Sequence, residues 1–153
     1  MEPLSTLDIN RVLRANSVTD SYFIGTFPAC ITPTTEKKAY AFITNIDDHN
    51  MPGRHWNAWF IEGRRVTFFD SFGRYWDDDT LPGHYKDIVE PFERVTYSNT
   101  RLQGWDSFAC GYFCIHFIYF KALGLDYEDF LNEYTNNFEK NDEIVFEFYN
   151  SIQ

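Results

Sequence analysis

The sequence predicts an α+β fold in which a small mixed or antiparallel sheet packs on a buried central helix, with outer helices on the other side. Three observations support this prediction. Short segments rich in aromatic and β-branched residues alternate with turn residues between positions 21 and 98. A segment that is apolar on nearly all sides follows at 107–123, and the acidic C-terminal stretch has helical periodicity. The length of 153 residues and the hydrophobic content of 44% fit one domain, residues 1–153.

The N-terminal half contains one predicted helix, which is followed by the predicted strands. In "STLDINRVLRAN", Ser5 and Asp8 have capping-box spacing, and Ile9, Val12 and Leu13 share one helical face. We predict strands at 21–27, 38–46, 54–62 and 64–72, a turn at 47–53, a helix or helical turn at 84–93 and a short strand at 94–98.

The C-terminal half contains the predicted central helix. It spans 107–123 and ends at Gly124, because glycine is favoured just after the end of a helix. The acidic tail then predicts two amphipathic helices. The apolar face of the first consists of Tyr127, Phe130, Leu131, Tyr134 and Phe138. The apolar face of the second consists of Ile144, Val145, Phe148, Tyr149 and Ile152.

Charge and composition restrict the possible classes of protein. The formal net charge of −10 argues against a nucleic-acid-binding protein, because such proteins neutralise phosphates with Lys and Arg. We interpret Arg54, Arg64, Arg65 and Arg74 as parts of a solvated surface of mixed charge. No apolar segment approaches the ~18 residues of a membrane span, and the N-terminal residues do not resemble a secretory signal. Three cysteines (Cys30, Cys110 and Cys114) indicate no disulfide framework, so we expect a soluble intracellular protein.

Cys110 stands between a polar, turn-prone segment and the predicted central helix. One interpretation is packing, because cysteine is among the residue types most often buried. The other is a nucleophile at a helix N-terminus, where peptide dipoles stabilise a thiolate. We expect no metal site, because Cys110, Cys114 and His116 do not lie on one helical face.

A cysteine nucleophile needs a base, and His55 is the best candidate among the four histidines. It begins a predicted strand next to the strand that contains Asp70, and adjacent strands bring side chains within ~4.5–5.5 Å. A carboxylate at Asp70 is therefore able to hold the imidazole of His55. We interpret His49 and His84 as exposed loop residues, and His116 as a residue of the core or its rim.

The ordered segments "SYFIGTF", "AFITN", "HWNAWF", "FFDSFG" and "LQGWDSFACGYFC" resemble the adenovirus maturation protease (adenain) family of cysteine proteases. That family shares a clan with the SUMO-specific (Ulp1-like) proteases, and the resemblance covers about residues 20–120. It implies an adenain/Ulp1-like fold and a catalytic triad of Cys110, His55 and Asp70. It also implies that Gln103 and the backbone N–H of Cys110 form an oxyanion hole. The His55-Trp56 pair matches the His-Trp signature of the family.

The resemblance further implies a cysteine endopeptidase that cleaves next to glycine in viral precursor proteins of the capsid or core during virion maturation. We expect Trp56, Trp59 and Trp105 to form walls of a narrow substrate cleft, and we interpret Trp56 as a packing residue that shields the His–Asp pair from water rather than as a reactive group. Gly111 would keep the helix start open to substrate. Two alternative roles stay open for Asp106, which stands near the nucleophile. One is to orient Gln103, and the other is to form the N-cap of the helix together with Ser107.

The adenoviral enzymes use DNA and a disulfide-linked viral peptide as cofactors, and we expect neither here. The chain has no cysteine between Cys30 and Cys110, where the peptide-linking thiol would stand, and its charge disfavours DNA. We expect a monomer that acts on viral precursor polypeptides with glycine-containing sites, without nucleic-acid or membrane partners. The implied location is the host nucleus or cytoplasm, with possible packaging in the virion.

Three other functions remain open from the sequence. An isopeptidase that removes ubiquitin or SUMO would use the same residues, since those modifiers also end in Gly-Gly. An acyltransferase built on the same triad is a more distant alternative. A binding module without catalysis is the alternative from another class of protein.

Overall fold

The structure, a computed structural model, describes residues 1–46 and 55–153. Its elements follow the chain in the order α1 (Thr6–Ala15), β1 (Phe23–Pro28), β2 (Ala39–Ile46), β3 (His55–Glu62), β4 (Arg65–Phe69), α2 (Tyr85–Val89), β5 (Arg94–Thr96), α3 (Cys110–Ala122), α4 (Tyr127–Leu131) and α5 (Phe138–Ser151). The predicted α+β class is confirmed. The predicted turn at 47–53, together with His49 and Arg54, lies outside the described residues.

Helix α1 forms as its capping box predicts. The backbone N–H of Asp8 donates to Ser5 Oγ at 3.1 Å, and the backbone N–H of Ser5 donates to Asp8 Oδ2 at 2.9 Å. Ile9, Val12 and Leu13 are buried on one face, as expected. This helix packs against β1 and α3.

The five strands within the described residues form one sheet in the order β1-β2-β3-β4-β5. β2, β3 and β4 are antiparallel, whereas β1 runs parallel to β2 and β5 runs parallel to β4. The predicted mixed sheet is therefore confirmed. β3 is the central strand, and all its residues except the first and the last are buried. A strand buried on both faces needs two cores.

Each face of the sheet has its own apolar core, because side chains alternate along a strand. On one face, Trp56, Ala58 and Phe60 of β3 pack with α3 and with residues of α1, α4 and α5. On the other face, Trp59 and Ile61 pack with residues of β2, β4 and α2. Only the first core was predicted from the sequence, and the second core contains residues that support the candidate site.

Two element boundaries next to the candidate site differ from the predictions. β4 ends at Phe69 rather than at residue 72, because a turn begins there that is closed by a hydrogen bond from Gly73 N to Asp70 O at 2.9 Å. α3 begins at Cys110 rather than at residue 107. Ser107 holds the preceding turn, since its N–H donates to Gly104 O and its Oγ accepts from Ala109 N, both at 3.1 Å.

The predicted continuous helix from Tyr127 to Phe138 is wrong. α4 ends at Leu131, and Phe138 is instead the first residue of α5. The interruption is stabilised by the buried Asn141, whose side chain accepts from Thr135 N at 2.8 Å and donates to Leu102 O at 3.0 Å. Within residues 1–46 and 55–153, the structure contains no helix that is both long and apolar enough to cross a membrane.

Candidate active site

Cys110 is the first residue of α3, and its side chain lies at the end of the sheet where β3 begins. The residue is buried, with 5% of its surface exposed. The following residues from Gly111 to Ile118 are also buried, so the helix is anchored in the core on all sides. The sulfur therefore stands where the positive end of the α3 dipole meets the end of the sheet.

His55 bridges Asp70 and Cys110. Its Nε2 is hydrogen-bonded to Asp70 Oδ1, and its side chain is also hydrogen-bonded to Cys110. Since Nε2 is directed to the carboxylate, Nδ1 is the nitrogen that faces the sulfur. The His55 side chain is 15% exposed, whereas that of Asp70 is fully buried. The structure thus brings together the three residues of the predicted triad.

The pairing register differs from a simple cross-strand pair. The last paired residues of β3 and β4 are Ala58 and Phe69, so Asn57 rather than His55 is the residue nearest to a position opposite Asp70. His55 reaches the carboxylate diagonally, which is within the range of a ring side chain. Asn57 Nδ2 donates to Asp70 Oδ1 at 2.9 Å and joins His55 on the same oxygen.

Electrostatic coupling keeps the His55–Asp70 pair charged. Burial lowers the pKa of His55, but the hydrogen bond and charge of Asp70 and the contact with Cys110 outweigh it and raise that pKa to about 9. Burial likewise raises the pKa of Asp70, but the charge and hydrogen bond of His55 and those of Arg74 lower it to about 2. At neutral pH the pair is therefore an imidazolium and a carboxylate.

Arg74 is the second cation on Asp70. Its Nε donates to Asp70 Oδ2 at 2.8 Å, and its backbone N–H donates to the same oxygen at 3.1 Å. Its guanidinium also donates to Thr80 Oγ1 at 3.2 Å. From the sequence, Arg74 was expected on a solvated surface of mixed charge, and no role was predicted for Asn57. The missed signals are an arginine four residues after the acid and a lone amide in an apolar strand, two residues after His55.

A column of stacked side chains extends from His55 to the surface. The Phe72 ring stacks on His55 with centroids 4.8 Å apart, and Trp105 stacks on Phe72 at 4.7 Å. The guanidinium of Arg101 lies 4.6 Å from the Trp105 ring and 4.2 Å from the Phe138 ring. The hydrogen bonds of His55 lie in the plane of its ring, and the stacked Phe72 restricts motion of the ring out of that plane.

Gln103 is completely buried, and two serines hold its amide. Ser71 Oγ donates to Gln103 Oε1 at 2.5 Å, while Gln103 Nε2 donates to Ser107 O at 2.9 Å and to Ser107 Oγ at 3.2 Å. The backbone N–H groups of Leu102 and Gln103 both donate to Ser71 O. Neither alternative left open holds, because Ser107 rather than Asp106 is the partner of this amide, and the N-cap of α3 is Ala109 without a capping side chain.

The expected cleft walls are partly wrong. Trp56 is 1% exposed and Trp59 is completely buried, so neither side chain lines an open cleft. Gly111 is buried too, and a Cβ added there would lie 3.3 Å from Leu4 Cβ and 3.4 Å from Trp56 Cδ1. A glycine at position 111 is therefore explained by the close packing of α3 against its neighbours. Trp105, by contrast, is 64% exposed, and its role toward substrate stays a prediction.

His116 and Cys114 form their hydrogen bonds with residues other than His55, Asp70 and Cys110. His116 is buried and hydrogen-bonded to Tyr134 OH, and burial lowers its pKa to about 4. Cys114 Sγ donates to Trp56 O at 3.4 Å, and burial raises the pKa of that thiol. Over residues 1–46 and 55–153, no group of His, Cys, Asp and Glu side chains is arranged to hold a metal ion.

The fold is similar to that of a solved protease structure. The structure aligns with the crystal structure of the ASFV pS273R protease with a TM-score of 0.62, over 92% of this chain and 64% of that chain, at 15% identity. The Se-Met structure of the ASFV protease aligns with a TM-score of 0.49 over 69% of this chain and 41% of that chain, at 19% identity. The fold class is the one found in the ASFV pS273R protease.

The sequence is similar to that of a curated adenoviral protein. The chain is 31% identical to the "Protease" of Bovine adenovirus 2 over 112 residues, which are 64% of this chain and 54% of that protein. The resemblance to adenoviral proteases inferred from the motifs is therefore confirmed. The chain spans about half the length of this curated relative. A scan against models of protein families found no match.

Proposed function

We propose that this protein is a cysteine endopeptidase that cleaves viral precursor polypeptides next to glycine during virion maturation. One observation carries the proposal. His55 is hydrogen-bonded at the same time to the buried carboxylate of Asp70 and to Cys110 at the start of α3. The similarity to a protein named as a protease in an adenovirus supports the viral setting.

In the proposed reaction, the Cys110 sulfur attacks the carbonyl carbon of the scissile bond as a thiolate. The positive charge of His55 and the N-terminal dipole of α3 both favour this anion. When the tetrahedral intermediate collapses, the C–N bond breaks and His55 gives its Nδ1 proton to the leaving amine. Neutral His55 then takes a proton from the water that hydrolyses the thioester. Asp70 remains ionised throughout and holds Nε2–H.

The proposed oxyanion donors are the backbone N–H of Cys110 and an N–H of Gln103 Nε2. The backbone oxygen of Ser107 can only accept, so it fixes which end of the Gln103 amide carries the protons, and Nε2 faces the segment that leads into Cys110. Hydrogen bonds in a site without substrate are often arranged differently from those in the transition state. Loss of one such donor typically lowers kcat by about 10²–10³.

The proposal is tested with peptides that contain Gly-Gly or Gly-x-Gly sites, with cleavage followed by mass spectrometry. We expect cleavage by the wild type and by Cys30→Ala, which removes an exposed thiol, and no cleavage by Cys110→Ala. A Cys110→Ala variant that cleaves as fast as the wild type would show that the sulfur is not the nucleophile.

A second measurement separates this function from removal of ubiquitin or SUMO. Vinyl-sulfone derivatives of both modifiers are incubated with the wild type, and adducts are located by peptide mapping. We expect peptide cleavage without an adduct. An adduct on Cys110 would favour the isopeptidase instead. Absence of both activities, with an unreactive Cys110 toward small alkylating agents, would favour the binding module.

A further inference from the structure

Five buried polar side chains form a continuous row of hydrogen bonds that ends on the candidate catalytic carboxylate. Trp59 Nε1 donates to Thr44 Oγ1 at 3.0 Å, and Thr44 Oγ1 lies 2.8 Å from Tyr85 OH. Tyr85 OH lies 2.8 Å from Asn57 Oδ1, and Asn57 Nδ2 lies 2.9 Å from Asp70 Oδ1. We call this row the donor chain; it consists of Trp59, Thr44, Tyr85, Asn57 and Asp70.

The two ends of the donor chain impose a single direction on it. The indole N–H of Trp59 can only donate, and the ionised carboxylate of Asp70 can only accept. Asn57 must therefore turn its NH₂ toward Asp70 and its Oδ1 toward Tyr85. Since each hydroxyl has one proton, Tyr85 donates to Asn57 and Thr44 donates to Tyr85. Every donor thus points toward Asp70.

The donor chain is isolated from water and draws on three separate elements. The side chains come from β2, β3 and α2, and each of the four residues before Asp70 is completely buried. In such a setting an unpaired polar group is costly, so each bond of the row constrains the next. Asn57 reaches the same Asp70 oxygen that accepts from His55, which couples the second core to the imidazole.

We propose that Tyr85 is a positioning residue of the active site, which acts through Asn57 to hold Asp70 Oδ1 in place for His55. The inference rests on the proposed function, because it assigns a role in that same reaction. Without the Tyr85 hydroxyl, Asn57 Oδ1 loses its donor and becomes a buried acceptor without a partner. The amide then shifts to reach another donor, and its Nδ2–H no longer holds Asp70 Oδ1 in the position that His55 Nε2 needs. Tyr85 itself lies in the second core and contacts no substrate.

The test compares Tyr85→Phe with Tyr127→Phe. Both substitutions remove a buried tyrosine hydroxyl, but Tyr127 OH bonds to the backbone oxygen of Phe68 rather than to the donor chain. We expect kcat of Tyr85→Phe to fall about tenfold with unchanged KM, whereas Tyr127→Phe keeps the kinetics of the wild type. This split between kcat and KM follows from a carboxylate that is displaced while the substrate-binding surface stays intact.

A spectroscopic readout makes the test independent of substrate. The proton on His55 Nε2 is followed by NMR in protein with ¹⁵N-labelled histidine, since a strong bond to a carboxylate shifts this resonance far downfield. We expect it to move upfield in Tyr85→Phe and to stay in place in Tyr127→Phe. An unmoved resonance with wild-type kcat in Tyr85→Phe would overturn the inference. If the wild type cleaves no peptide, the proposed function fails and the resonance still decides the positioning role.

A further pair of variants keeps the inference testable if Tyr85→Phe does not fold. Thr44→Val removes the hydroxyl that donates to Tyr85 with little change of shape, and Thr44→Ser retains it. We expect the His55 resonance to shift in Thr44→Val and to return in Thr44→Ser. Equal resonances in the two variants would show that the hydroxyls of the donor chain do not position Asp70.

Discussion

At the scale of single residues, the central group is the carboxylate of Asp70, which accepts hydrogen bonds from His55, Asn57 and Arg74. Its carboxylate is fully buried, so these donors replace the water that an exposed carboxylate would bind. Both cations on Asp70 favour its ionised form, and the ionised form in turn favours the imidazolium of His55. The chemistry of the site therefore depends on residues that never reach the sulfur.

Replacement of Arg74 tests this electrostatic arrangement. We expect Arg74→Gln to lower the free energy of unfolding by about 2 kcal/mol at pH 7, less than the loss typical of a broken buried pair, because His55 and the backbone N–H remain. Urea titration measures the change. The matched control is Arg64→Gln, because the Arg64 side chain is 81% exposed in its pair with Glu93. We expect its effect to stay under ~0.5 kcal/mol. Equal losses in the two variants would contradict the role of Arg74.

The raised pKa of His55 predicts how activity and stability depend on pH. Because this pKa is about 9 in the folded protein, the imidazolium and the cleavage rate should decline with a midpoint near pH 9. The pair's contribution to stability should be complete below pH 6.5, the ordinary pKa of histidine, and lost as pH rises toward 9. Urea titration at pH 6 and pH 9.5 measures the free energy of unfolding at each pH. We expect this free energy to fall between the two pH values in the wild type, without the same fall in His55→Ala. The prediction fails if His55→Ala loses as much stability as the wild type over this range.

At the scale of elements, two loops and one helix terminus assemble the site. The turn after β4 carries Asp70 and Phe72, and the loop before α3 carries Gln103 and Trp105. The backbone N–H groups of residues 102 and 103 donate to Ser71 O, which ties the two loops together. Cys110 follows at the start of α3, so its distance from His55 depends on how these loops meet.

Gly73 lies where the two loops approach each other closely. Its φ is +76°, and a Cβ added there would lie 2.8 Å from both Arg101 N and Thr100 C. We expect Gly73→Ala to separate the loops and to abolish most of the cleavage activity. Gly63→Ala is the control, because its φ is +62° but a Cβ would meet nothing within 4 Å. That variant should lose only the ~1 kcal/mol typical of a left-handed alanine and retain activity. Similar activity in both variants would show that close approach of the loops is unnecessary.

At the scale of the whole molecule, the net charge sets the expected response to cofactors. A charge of −10 repels polyphosphates, and no thiol occurs between positions 30 and 110 for a linked peptide. We expect duplex DNA, or a cysteine-containing peptide of the adenoviral type, to leave the cleavage rate unchanged. The measurement is kcat/KM at low salt with and without each additive, and reduced and alkylated peptide is the control. Stimulation of more than about tenfold by either additive would contradict the prediction.

The sequence by itself determined the class of fold and the order of its elements. Capping-box spacing, aromatic and β-branched runs between turn residues, and helical periodicity are local properties, and they predicted α1, the strands and α5 correctly apart from their ends. The ordered motifs also led to the adenoviral resemblance. His55 and Asp70 were paired because their predicted strands are adjacent, and the triad of His55, Asp70 and Cys110 was implied by the resemblance. Their chemical roles stay a proposal.

Only the tertiary structure decided which polar residues surround Asp70. Asn57 and Tyr85 are separated by 28 positions, and their contact depends on the pairing of strands and on the docking of α2. Trp56 and Trp59 are likewise buried because the sheet is covered on both faces. From residue type alone, a tryptophan at either position is equally compatible with the core and with the wall of a cleft. The physical reason is that local periodicity determines which side of an element is apolar. It does not determine which distant side chains that element meets.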